Sequence, residues 1–133
     1  MELVFFIAHP DEARAVTSSH ALPGDPAAEP IAAHGPAALH GLAAALSPDV
    51  AAPFRPLRDQ TCRSYPTWTL SPELRARLES LEPDDIDAVA DSWQPHEDTD
   101  PCERACCLTA LRDALRACEP GETLFALLEE RAL

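Results

Sequence analysis

Hydrophobic and polar positions along the chain fall into a few short, well-marked patterns. Residues 3–8, Leu-Val-Phe-Phe-Ile-Ala, are an unbroken apolar run, the pattern of a strand covered on both faces. His9-Pro10-Asp11-Glu12 follows, with a proline suited to a first helical turn and two acids placed for the positive end of the helix dipole. This predicts a strand, a tight turn and a short helix to about residue 18. Residues 20–37 hold Pro23, Gly24, Pro26, Pro30, Gly35 and Pro36, a density of breakers that predicts a loop. Leu39, Leu42 and Leu46 then recur at helical spacing until Ser47-Pro48 stops them.

The second half is more regular. Prolines at 53, 56 and 66 allow only short extended pieces between residues 50 and 66, such as an edge strand. Thr67-Trp68-Thr69-Leu70 alternates as a brief strand. Ser71-Pro72-Glu73 reads as an N-cap, a proline at the first helical position and a first-turn acid. Leu74, Leu78 and Leu81 give one helical stripe; Ile86, Val89, Ala90 and Trp93 give the core side of another. Residues 94–101 form an acidic connector. The clearest helix spans about 101–118, where Cys107, Leu108, Leu111, Leu115 and Cys118 share one side while Cys102, Cys106, Asp113 and Arg116 point away from it. Glu119-Pro120-Gly121 ends it, and residues 123–128 predict a last strand. The expected fold is a single α+β (or small α/β) domain over residues 1–133, with N-terminal and C-terminal strands and four to five helices.

Taken in order, the FFIA-HPDEA opening, the PAALHGLAAAL helix after a proline-rich loop, the WTLSPELRARLESL segment, a helix ending at Trp93 and the closing LTALRDAL and GETLFALLE segments resemble the YfbM-like family of small bacterial proteins. The resemblance spans most of the chain. It implies a compact α/β domain and brings no catalytic residues with it.

Composition narrows the function. The 133 residues carry 23 acids against 10 arginines and no lysine, a formal charge of −13. Phosphate affinity needs clustered cations, so nucleic acid and anionic membranes are excluded as partners. No apolar run approaches the roughly 20 residues that span a bilayer, and the run at 3–8 is too short and lacks the basic flank of a secretory signal. Five cysteines, an odd number with an adjacent pair, do not form a disulfide framework. A soluble, cytoplasmic protein with reduced thiols is expected, and no cofactor is called for.

Three constellations can carry chemistry. Ala8-His9-Pro10-Asp11-Glu12 after a strand looks like the AHPDDE motif of the LmbE-like zinc deacetylases, in which the histidine and second acid bind metal and the first acid acts as base. That resemblance would make His9, Asp11 and Glu12 the catalytic set of a metal-dependent hydrolase. Here the second acid is Glu12, and His20, His34, His40 and His96 include no HxxH pair. The plainer reading is a helix start. The second constellation is Cys102 and Cys106, one helical turn apart, with His96 or Asp98 arriving from the connector as further ligands for a soft metal. The spacing lacks the paired knuckles of a structural zinc site, so incidental exposed thiols are the plainer reading.

The third is charge. Residues 79–103 contain ten acids and no arginine, whereas residues 1–66 hold seven acids against four arginines. Such a cluster repels itself, which a basic partner would relieve; a solvated face that keeps an alanine-rich chain dispersed is the plainer explanation. The favoured expectation is a non-enzymatic interaction module, of the immunity or antitoxin type, that meets a basic protein through Asp84, Asp85, Asp87, Asp91 and Trp93.

Overall fold

The computed structural model describes residues 1–13, 16, 22–49, 53–56 and 67–129. It is an α+β single domain built on one antiparallel sheet. Strand β1 (Glu2–Ala8) and strand β5 (Thr123–Glu129) pair along their whole length, from Glu2 opposite Glu129 to Ala8 opposite Thr123. They are flanked by the two-residue β2 (Ile31–Ala32) on one side and by β4 (Thr67–Leu70) and β3 (Phe54–Pro56) on the other, in the order β2-β1-β5-β4-β3. The run at residues 3–8, read as a doubly covered strand, and the expected last strand are therefore the centre of the sheet. The proline-bearing β3 lies at its edge, where a residue without an N–H is tolerated.

Because side chains alternate across a strand, β1 and β5 divide their apolar residues between two layers. Leu3, Phe5, Leu124, Ala126 and Leu128 face the larger core, which is filled by four helices: α2 (Ala37–Leu46), α3 (Pro72–Glu79), α4 (Pro83–Ser92) and α5 (Pro101–Ala117). Val4, Phe6, Ala8, Phe125 and Leu127 face a smaller layer closed by Ala13, Val16 and Leu22, with the Phe6 and Phe125 rings stacked 5.6 Å apart. The short helix α1 (Pro10–Ala13) leads into this layer. Residues 14, 15, 17 and 18 of the expected first helix lie outside the described residues.

Local chemistry ends the elements where the sequence indicated. Ser71 Oγ accepts from the Leu74 N–H at the start of α3, and Asp100 Oδ1 accepts from the Glu103 N–H at the start of α5. Between α5 and β5, the Glu122 N–H bonds to the Glu119 carbonyl around Pro120 and Gly121, the latter at φ +89°; proline followed by a left-handed glycine is the signature of a type II turn. Two details were not foreseen. The proline-rich loop contributes β2, and Cys118, expected on the apolar stripe of α5, is only half-buried at the helix end.

Candidate functional site

The acidic surface is set by the phase of α4. Pro83 begins the helix, and Asp85 Oδ2 reaches back to accept the Glu82 N–H at 3.2 Å, satisfying one of the donors that a helix start leaves open. Ile86, Val89 and Ala90 turn into the core. That phase leaves Asp84, Asp87 and Asp91 exposed as a stripe at i, i+3 and i+7 along the opposite side. None of the three makes an ion pair among the described residues. Asp91 also stands in the last helical turn, where the dipole disfavours a carboxylate, so local helix stability does not explain its presence.

The arginines sharpen the picture. Five of the six described arginines donate to backbone carbonyls. Arg77 Nε donates to Leu46 at the end of α2; Arg116 Nε donates to Glu79 at the end of α3; Arg112 Nη1 donates to Leu81 just beyond it. Arg75 Nη1 donates to Glu122, and the buried Arg104 Nε donates to Ala90 in the last turn of α4 at 2.7 Å. Helix C-termini carry open carbonyls and partial negative charge, so a guanidinium fits there. With the cations turned to carbonyls, most carboxylates are left facing solvent.

Trp93 requires a correction. Expected at the interface, it is completely buried, and its Nε1 donates to the Ala38 carbonyl of α2 at 2.9 Å. It ends α4 and presents no surface to a partner. Asp85 is half-buried and serves the helix start, so Asp84, Asp87 and Asp91 are the part of the expected binding set that offers exposed carboxylates.

The connector between α4 and α5 carries a second arrangement. The His34 N–H, just after β2, donates to the Pro95 carbonyl at 3.1 Å, which brings the loop before α2 against the connector. There the His34 and His96 rings stack with centroids 4.3 Å apart, and His34 Nε2 lies 2.6 Å from Glu97 Oε2. That hydrogen bond, more than any other influence, pulls the Glu97 carboxyl below its usual pKa. Donor atoms of His34, His96 and Glu97 all fall within 4.8 Å of one another. His96 is marked in the sequence as a candidate ligand, whereas its partners are not. His34 is 63 residues away from Glu97 and carries no local signal of the pairing.

The other candidates separate. His9, Asp11 and Glu12 are all exposed; the Glu12 carboxylate accepts the His9 N–H at 3.1 Å, the bond of a helix start. They are not among the sets of three ligating side chains that converge in the described residues. Cys102 and Cys106 are exposed on α5 and line a cleft of about 510 Å³ together with Glu29, Asp100 and Glu103. The neighbouring Cys106 thiol, with a smaller contribution from Asp100, raises the Cys102 pKa. Burial pushes the Cys107 thiol up to about 12. Neither environment favours the thiolate that nucleophilic chemistry requires, and His96 stands with His34 and Glu97 instead of completing a site at these thiols. Cys62 lies outside the described residues.

No described helix is long and apolar enough to cross a membrane. The resemblance to the YfbM-like family rests on the order and spacing of elements in the sequence. Compared with family models, with curated proteins and with solved structures, the chain matches none.

Proposed function

We propose that the chain is a non-enzymatic interaction module whose α4 stripe, Asp84, Asp87 and Asp91, meets a basic protein, in the manner of an immunity protein or antitoxin covering a cationic site. The observation that carries this reading is the division of charge. The arginines of α3 and α5 donate to backbone carbonyls, and Arg75 and Arg112 also face Glu79 and Asp113, while the three aspartates are exposed on one rigid helix without an ion pair among the described residues. Carboxylates arranged this way repel one another, and a cationic surface relieves that repulsion on contact. A helix held on its inner side by Ile86, Val89, Ala90 and Trp93 presents them with little further ordering cost.

The test uses the most basic protein encoded beside this chain as the probe. Association is followed by stopped flow at low and high salt, with wild type and with the D84K/D87K/D91K variant. Steered encounter predicts an on-rate that falls with ionic strength, at least about tenfold slower in the variant. An on-rate indifferent to both salt and charge reversal overturns the reading.

A further inference from the structure

We propose that His34, His96 and Glu97 form a binding site for one divalent ion of the zinc class, fastening the loop before α2 to the connector between α4 and α5. Two imidazoles and one carboxylate are a donor set that first-row ions such as Zn²⁺, Co²⁺ and Ni²⁺ prefer, while Mg²⁺ and Ca²⁺ take oxygen ligands.

Geometry brings the donors close to what an ion needs. All three lie within 4.8 Å of one another, and His34 Nε2 and Glu97 Oε2 are 2.6 Å apart. A tetrahedral ion with bonds of about 2.0–2.2 Å holds its donors roughly 3.3 Å apart. Closure therefore asks for shifts of about an ångström. The His34 and Glu97 side chains are 59% and 73% exposed, and rotation of exposed side chains between staggered positions costs little. The ion would take the place of the hydrogen between Nε2 and Oε2, which passes to the other ring nitrogen of His34.

The frame behind the donors is already built. The bond from His34 N–H to Pro95 O at 3.1 Å joins the two segments directly beside the site. His96 is the least exposed ligand, at 20% of its side chain, and is steadied by its neighbours. Its Nδ1 accepts the Asp98 N–H at 3.0 Å, with Asp98 Oδ2 3.5 Å away. Coordination through Nε2 moves the ring proton to Nδ1, so this hydrogen bond would give way to one from Nδ1–H to the Asp98 carboxylate, the usual device for orienting a ligating histidine. Three protein donors leave a fourth position on the solvent side for water. The net charge of −13 raises the local concentration of any cation.

The experiment strips the full chain with a chelator, then titrates it with Zn²⁺ by calorimetry and with Co²⁺ by visible absorption, in the presence of excess Mg²⁺. One equivalent should bind, with a cobalt spectrum that lacks a thiolate charge-transfer band. His34→Ala and Glu97→Gln, both at exposed positions that circular dichroism will confirm as folded, should each weaken binding at least about tenfold. The C102S/C106S variant should bind as tightly as wild type. Zinc should raise the melting temperature of wild type and leave that of His34→Ala unmoved. Failure to take up one equivalent, or an affinity that survives both H34A and E97Q, overturns the site. Loss of binding in C102S/C106S, with a thiolate band on cobalt, also overturns it and moves the ion to the cysteine cleft.

Discussion

Arg104 of α5 reaches across to α4 and closes its end: the Nε–H donates to the Ala90 carbonyl at 2.7 Å, while Nη1 donates to the carbonyl and hydroxyl of Thr99 at 2.7 and 3.2 Å. At 3% exposure this is a buried cation whose hydrogen bonds among the described residues all go to neutral dipoles. Replacing it with methionine keeps much of the volume but leaves two carbonyls without this donor, at about 1–3 kcal/mol for each group that becomes unsatisfied. Arg104→Met should lower the urea stability by about 2–4 kcal/mol. A loss under 0.5 kcal/mol would show that water replaces the guanidinium.

Trp93 does for α2 and α4 what Arg104 does for α4 and α5. Trp93→Phe removes the hydrogen bond to Ala38 and part of the ring, with an expected loss of about 1–2 kcal/mol. Trp93→Ala should lose about 3–5 kcal/mol. Neither change should alter the salt dependence of partner association, because Trp93 has no exposed surface. A steeper effect on association than on stability would return this residue to the interface.

Two glycines should respond in opposite directions to alanine. At Gly41, inside α2, a Cβ would sit 3.7 Å from Trp93 Cδ1, an ordinary contact, so Gly41→Ala should gain about 0.5–1 kcal/mol from helix propensity. At Gly121, with φ +89°, a Cβ would come within 3.1 Å of the His9 imidazole. Gly121→Ala should lose about 1–2 kcal/mol through backbone strain in the turn before β5. Thermal melts of the two variants in parallel check both signs.

Cys107 makes stability fall at alkaline pH. Its folded pKa of about 12 exceeds the ordinary thiol value of 9.0, so above pH 9 the unfolded chain loses a proton that the folded chain keeps. The contribution is complete below pH 9 and declines towards pH 12, with a slope approaching about 1.4 kcal/mol per pH unit. Cys107→Ala should flatten the fall between pH 9 and 10.5 relative to wild type. With iodoacetamide at pH 8, the exposed Cys102 and Cys106 should be modified and Cys107 spared; rapid labelling of Cys107 in the folded protein would contradict its burial.

Most of the fold was legible because its elements are locally self-consistent. The Ser71-Pro72 start, the Pro120-Gly121 turn, the leucine stripes and the continuous apolar runs of β1 and β5 each announce one structure. What could not be read depended on distant partners. The two residues of β2 gain their definition from pairing with Leu3 and Glu2. Arg104 shares a stripe with Cys107, Leu108 and Leu111, and periodicity assigns a charged residue to solvent unless its acceptors are known. The sequence marked Asp84, Asp87 and Asp91 only as part of a wider set with Asp85 and Trp93, and separating the exposed stripe took the observed burial of Trp93 and the capping bond of Asp85. The convergence of His34 on His96 and Glu97 required the tertiary contact at Pro95.

The pairing of β1 with β5 has a consequence during synthesis. Of all these elements, β1 leaves the ribosome first and β5 last, yet neither can complete the middle of the sheet without the other. Until residues 123–129 emerge, the Leu3–Ala8 stretch has lost its longest partner and exposes a β-prone, uncharged edge that a second nascent chain can pair with. Stalled or truncated translation products, rather than the finished molecule, are thus where this chain is most prone to aggregate and most dependent on chaperones.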